Sequence, residues 1–500
     1  MICRADGMAH DTRGLVSSQR EFGRASGTAY RVERDLLGAA KIPADVLWGI
    51  HTFRALRNFP ISGTPIGEYG SFVRALVTVK RAAARTNHTL GYLDTKRAQA
   101  IEAACVAILA DDSYYSAFVV DAMQGGAGTS SNMNTNEVIA NVALKLLGEA
   151  PGTYAVIHPN DHVNMAQSTN DVYPTALRLG LVGAARHLPD SLRTLAAAFG
   201  ARADAFDRIL KVGRTQLRDA VPMTLGQEFR AFQHGIEREI AGLTSSLNGF
   251  LQINLGGTAI GTGLNTDPRY REAVVAELGA LTGLAVVSAP DLIEATSDVG
   301  AFVLFSGVLK KLALKLSKIA SDLRLLSGGP RAGLAEIVLP AVQAGSSIMP
   351  GKVNPVIPEA VNQVAYLVAG YDLTVTMCAD GGQLQLNPFE PMIGYCLFSS
   401  LKILQAAVDV LASDCVSGIT ADSLRCQHLS GRSIGLVTAL VPILGYETCS
   451  AIAQRALAEN RTIPDLVLSE NLLPAEQLEK LLRPEALTRP NLPGDHGAEL

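Results

Sequence analysis

Between Phe305 and Leu326, apolar residues recur at steps of three and four: Phe305, Val308, Leu309, Leu312, Leu316, Ile319, Leu323 and Leu326. Lys310, Lys311, Lys315 and Lys318 fill much of the opposite face. That spacing predicts one long amphipathic helix of the kind that packs in a bundle. Segments 176–210, 222–254 and 358–378 show the same period. Pro358 followed by Glu359 predicts the start of the last of these, with proline in the first position and an acid in the first turn. From Tyr30 to about Asn164 the pattern is broken by glycine- and asparagine-rich loops. From about Ile419 the helical patterns shorten, and the chain ends in a proline-rich stretch expected to be loose. The fold class this predicts is mainly α.

Composition narrows the picture. The chain has 500 residues, enough for two to four domains, and 48% of them are hydrophobic against 18% charged. So apolar a composition implies much buried surface, which large contacts between subunits would explain. A net charge of -4 argues against a nucleic-acid or anionic-membrane partner. No run of about 18 residues reads as apolar enough to span a bilayer. The seven cysteines are scattered, with no CxxC pair, as in a reduced cytoplasmic protein. Residues 1–28 have no apolar signal core and read as a disordered extension.

Four segments are too rich in glycine, hydroxyls and amides to be plain connections. The first, Gln124 to Asn141, sets Thr129, Ser130, Ser131, Asn132, Asn134 and Asn136 behind Gly125, Gly126 and Gly128. Such groups beside flexible backbone can hold a carboxylate through short hydrogen bonds. A loop running into a helix cap is the plainer reading of the same residues. In the second, Ser168, Thr169 and Asn170 form another hydroxyl-amide cluster. His158 and His162 lie just before it, four apart, and raise the question of a metal. Pro159 disfavours a regular helix there, and no third ligand stands at metal spacing, so no metal site is expected. The third segment, Gly213 to Phe229, places Thr215 and Gln216 just before a helical run; alone they read as turn residues. The fourth is "GSSIMPGKVNP", Gly345 to Pro355. It is no Walker loop: five residues separate its glycines and Val353 follows Lys352.

Together and in this order, "GGAGTSSNMNTNEV", "QSTNDVYPTA", "GRTQLRDAVPMTLGQEF", "GTAIGTGLNT", "GSSIMPGKVNP" and "GQLQLN" resemble the aspartase/fumarase superfamily of lyases from about Tyr30 to Val467. Within it the chain is more similar to the ammonia-lyases acting on aspartate than to class II fumarases. The latter usually carry histidine where Gln216 stands and "GSGTQ-NMN" where this chain has "GAGTSSNMN". A third reading is a non-catalytic structural relative, as some lens crystallins are; the retained polar residues argue against it.

The resemblance implies three mostly helical domains, at 29–167, 168–420 and 421–500, with the central bundle joining a homotetrameric core. It implies active sites shared between three subunits. It implies that Ser346, six positions before Lys352, is the catalytic base, and that Ser347 donates to the β-carboxylate. Thr129, Ser168 and Thr169 would stabilise the dianionic intermediate. Asn170 and Thr215, with Gln216 beside them, would help hold the ammonium or the α-carboxylate, and Lys352 and Asn354 would bind the α-carboxylate. Gly345 and Gly351 would let the loop open and close. Glu359, which partners a histidine in fumarases, is expected to be structural beside Gln216. No cofactor is implied beyond activation by a divalent cation such as Mg2+ in some members. Met165, where many relatives carry lysine, predicts a weaker positive field at Ser168; Arg218, Pro388 and Phe389 are further departures. His158, Asn160 and Asp161 resemble a segment near a second carboxylate site.

Overall fold

The computed structural model describes residues 29–490. The expected N-terminal extension lies outside them. The chain opens with an antiparallel hairpin, β1 (Tyr30–Asp35) and β2 (Gly38–Pro43). Helices α1 (Ile50–Asn58), α2 (Gly70–Thr89), α3 (Thr95–Ala110), α4 (Thr129–Leu146), α5 (Thr169–Ala185) and α6 (Leu188–Ala205) follow. A second hairpin, β3 (Leu210–Thr215) and β4 (Arg218–Thr224), leads into α7 (Leu225–Leu247). The two-residue strands β5 (Gln252–Ile253) and β6 (Val287–Ser288) pair in parallel around α8 (Tyr270–Thr282). Then come α9 (Leu292–Ser297), α10 (Gly300–Leu326), β7 (Ile337–Val338), α11 (Val356–Asp380) and α12 (Glu390–Val410). β8 (Thr420–Ala421) pairs with β7, and α13 (Ser423–Arg432) precedes the short helices α14–α18 between Val441 and Leu487.

The long pattern of three- and four-residue steps is α10; its predicted apolar face is buried from Phe305 to Leu326 except for the half-buried Val308. It packs against α11 and α7, while α12 packs against α11, α6 and α5. Its lysine face is not simply solvated. Lys310 pairs with Asp372 of α11, and Lys311 and Lys315 reach the buried Glu239 of α7 at 3.1 and 3.2 Å. Buried apolar residues form one cluster from Ile42 to Ile419 and another from Leu436 to Leu481.

Three expectations need correction. Segment 176–210 is two helices that break between Ala185 and Leu188, and its last residue belongs to β3. Pro358 is the third residue of α11, not the first; the third N–H of a helix has no intrahelical acceptor, so proline costs nothing there. Among the described residues one stretch, Glu390–Gly418, is long and apolar enough to cross a membrane, where none was expected. It includes α12, which packs on three helices, and a helix buried on several sides is apolar around its circumference for that reason.

Candidate active site

The Thr129 and Ser168 segments meet at two helix starts. Gly128, in the left-handed region at φ 90°, caps α4, and a Cβ there would lie 2.1 Å from the Tyr173 ring of α5. Only glycine lets the two helices approach so closely. The helix begins at Thr129 itself, so Ser131, Asn132, Asn134 and Asn136 are buried helical residues, not loop ligands. Thr129 Oγ1 donates to the Gly126 carbonyl at 2.7 Å. Ser168 is the N-cap of α5 and accepts the Asn170 N–H, which leaves its own proton to give. Thr169 Oγ1 accepts from Asn132 Nδ2 at 3.1 Å, joining the two helix starts. Asn170 Nδ2 donates to the Ala259 carbonyl at 2.7 Å, so its carbonyl oxygen remains to accept.

Beneath this cluster lie groups that the sequence reading missed. Asp171 accepts the Ser168 N–H at 2.9 Å and, through its other oxygen, the N–H groups of Gly256 and Thr258. It thereby fixes the "GTAIGTGLNT" stretch against Ser168. The serine, two residues and an acid of a capping box were visible in "STND". Lys80 is fully buried on the apolar face of α2, and Nζ donates to Asn164 Oδ1 and Gln167 Oε1 at 2.8 and 2.9 Å. Asn164 Oδ1 also accepts from Asn132 and Asn136. Burial pushes the Lys80 ammonium down to about 7, and the Asp171 carboxylate pulls it back up. An ionisable amine therefore stands under the cluster, its charged form disfavoured by burial, although Met165 carries none. Its signal was a lone lysine among Phe72, Val73, Leu76 and Val79 at helical spacing.

The "GSSIMPGKVNP" loop is closed by its own hydrogen bonds. The Gly345 N–H donates to the Lys352 carbonyl at 2.8 Å, and Asn354 Nδ2 donates to the Gly345 carbonyl at 2.8 Å. A Cβ on Gly345 would meet Lys352 O at 2.7 Å. Gly345 is thus the closed neck of the loop and not a hinge. Asn354 braces that neck with one of its two side-chain N–H groups, and the second is left to give. Gly351, at φ 79° with open space around it, is the freer glycine. Ser346 Oγ accepts two backbone N–H groups, from Ile348 at 3.2 Å and Met349 at 3.0 Å. Two donors on one oxygen favour its charged form. Ser347 and Lys352 are exposed, and so is Ile348 at 82%. An apolar side chain held in water beside the serine is suited to drying the site on closure.

Thr215 ends β3, and Gln216 and Leu217 form the two-residue tip of the hairpin, both at positive φ. They do not lead into the helix directly, as α7 starts only at Leu225. Glu359 faces Arg324 at 3.6 Å. His158 and His162 flank a turn in which His162 Nδ1 accepts the His158 N–H. Among the described residues, no hydrogen bond or ion pair joins the α4–α5 cluster, the hairpin tip and the Ser346 loop to one another.

The family described as Lyase matches residues 38–370, and that described as Fumarase C C-terminus matches residues 436–489. A curated aspartate ammonia-lyase of Pseudomonas canavaninivorans is 54% identical over 94% of this chain and 99% of its own length. That of Escherichia coli K12 is 49% identical over 92% and 96%. A fumarate lyase:delta crystallin from Brucella melitensis, solved bound to cobalt, superposes with a TM-score of 0.90 at 52% identity, covering 92% of this chain and all of that one. A class II fumarase from Schistosoma mansoni superposes with a TM-score of 0.86 at 32% identity, over 91% and 98%. By sequence along nearly its whole length and by fold, the chain belongs to the aspartase/fumarase superfamily of lyases.

Proposed function

We propose that this protein is an aspartate ammonia-lyase, a carbon–nitrogen lyase that converts L-aspartate reversibly to fumarate and ammonia. The observation that carries the reaction is Ser346 Oγ under two backbone N–H donors. A serine hydroxyl is a weak base, and those donors, the Lys352 charge and a dry closed loop favour its alkoxide. The alkoxide takes the C3 proton of L-aspartate. The electron pair moves onto the β-carboxylate, giving a dianionic enediolate. Ser347, Thr129, Ser168 and Thr169 donate to that charge where it develops; one such donor contributes about 3–4 kcal/mol. Thr129 must turn from Gly126 to do so. Lys352 and Asn354 hold the α-carboxylate, and Asn170 and Thr215 the ammonium end, with Gln216 beside them. The enediolate then collapses. C2=C3 forms, and the C–N bond breaks with its electron pair leaving on nitrogen. The substrate ammonium departs as ammonia without a separate acid.

The reading takes three subunits at each site; within one chain no hydrogen bond or ion pair among the described residues joins the parts. An apolar stripe on α11 supports a homotetramer: Tyr366, Leu373 and Met377 are 65%, 63% and 61% exposed, at bundle-like spacing. Exposed apolar residues so aligned fit the core of a multi-helix assembly. No cofactor enters any step, and a divalent cation acts only as an activator; chelation lowers the rate without abolishing it.

The test is purified protein with L-aspartate, and separately with L-malate, followed by fumarate absorbance and ammonia release. Fumarate from aspartate with equal ammonia is the expected result. Fumarate from malate alone makes the chain a fumarase instead.

A further inference from the structure

A buried ion cluster at the foot of the β3–β4 hairpin takes part in none of these steps. Lys211 Nζ lies 2.9 Å from Glu336 Oε2, and Arg214 Nη2 lies 2.8 Å from Glu336 Oε1. Lys211 also pairs with Glu228 of α7. The Glu336 side chain is 0% exposed and that of Lys211 2%. Two cations and two carboxylates balance in charge.

The backbone is shaped to make this contact. Residues three apart on a regular strand face opposite ways, so Lys211 and Arg214 would not reach one carboxylate. The register shifts between Val212 and Arg214, and both do reach it. At the shift, a Cβ on Gly213 would meet the Val221 carbonyl at 2.7 Å. Glu336 is itself gripped by its backbone. Its N–H donates to Leu326 O, and its carbonyl accepts from Asp422 N and Cys426 Sγ. Stability alone does not call for such a cluster, since well-packed apolar residues serve a core as well or better. In some proteins buried charges set register instead, and here they tie two segments of the chain.

The positions at either end define what is held in register. β3 runs from Lys211 through Arg214 to Thr215 and the Gln216 tip. Glu336 immediately precedes β7, and the chain leaves β7 into the segment that carries Ser346. We propose that Glu336 is a positioning residue that ties the hairpin bearing Thr215 and Gln216 to the root of the Ser346 loop, with Lys211 and Arg214 as its two anchors. The inference rests on the reading of those three residues as substrate-binding and catalytic groups.

The test is Glu336→Gln in the full, assembled protein. kcat/KM for L-aspartate falls roughly tenfold to a hundredfold, as small misplacements of reacting groups do, with KM and kcat both affected. Hydrogen exchange quickens in residues 210–224 and 339–355 together. Adding Lys211→Met restores the charge balance, so the melting temperature recovers while kcat/KM stays low. Recovery of both together would reduce Glu336 to a structural role and overturn the proposal. Arg214→Gln, at a partly exposed side chain, is the second variant in case Glu336→Gln does not fold. It keeps the Lys211–Glu336 pair, and it lowers kcat/KM with a near-normal melting temperature. Normal kinetics and normal exchange in these folded variants also overturn the proposal. If the unmodified protein makes no fumarate from aspartate, the functional reading falls, and the exchange of the two segments still decides the tie.

Discussion

Ser346 shows how much chemistry a single residue draws from its neighbours. Its oxygen accepts the Ile348 and Met349 N–H groups, an arrangement that favours its charged form. Ser346→Ala should lower kcat roughly a thousandfold, with fumarate binding and melting temperature little changed; a rate near normal in the fumarate assay would remove the serine from the proton transfer. Lys352 is exposed and has no ion-pair partner among the described residues. Its charge is free for a carboxylate, and Lys352→Ala should weaken fumarate binding in titration calorimetry as well as slow turnover. Ser346, Lys352, Ser168 and Thr169 stand out as candidates from motif alone. Glu336 does not, and Lys80 and Asp171 leave only local signals, a lone lysine at apolar helical spacing and a capping box, which do not say what each charge meets.

Elements are held by backbone geometry at a few glycines. Gly128 combines a left-handed φ with contact against the Tyr173 ring, so Gly128→Ala adds strain to overlap. A loss of about 2–5 kcal/mol is expected from the two together, read as a lower denaturant midpoint. Gly345→Ala pushes on the Lys352 carbonyl and on Asn354. It should cut activity while leaving the midpoint nearly unchanged, because the loop neck lies outside the packed core. The long helix α10 was legible in its three- and four-residue steps, and so was its end at Leu326. The break between α5 and α6 was not: "RHLP" offers a proline that suits a helix start as well as a stop. The left-handed hairpin tip was also hidden, since Gln216 and Leu217 are not residues that favour positive φ.

For the whole molecule, the exposed stripe of α11 makes one prediction. Leu373→Lys or Tyr366→Lys should yield smaller species in sedimentation, and activity should fall in step with the loss of the assembled form. Deep in the bundle, Glu390 is buried near Arg178 and Tyr173. Burial pushes its carboxyl up to about 8, and the Arg178 charge opposes this only in part. The fold therefore prefers the neutral acid. That preference stabilises most fully at a pH below the unfolded carboxylate range and is lost as pH rises through about 8. Glu390→Gln should raise the melting temperature relative to the unmodified protein at pH 8 and much less at pH 5, a difference that thermal scans at the two values measure.

By itself the sequence determined the helical class, the order of the motifs, the family and the residue types that meet a dicarboxylate. These are local properties: periodicity follows from 3.6 residues per turn, and motif chemistry from side chains adjacent in the chain. Only the tertiary structure decided which groups stand together. Asn132 meets Thr169, Asp171 meets Gly256, and Glu336 meets both Lys211 and Arg214, across separations from 37 to 125 residues. Such pairs depend on where packed helices bring the chain back upon itself. Burial then sets what each charge is worth, and burial is a property of the folded whole.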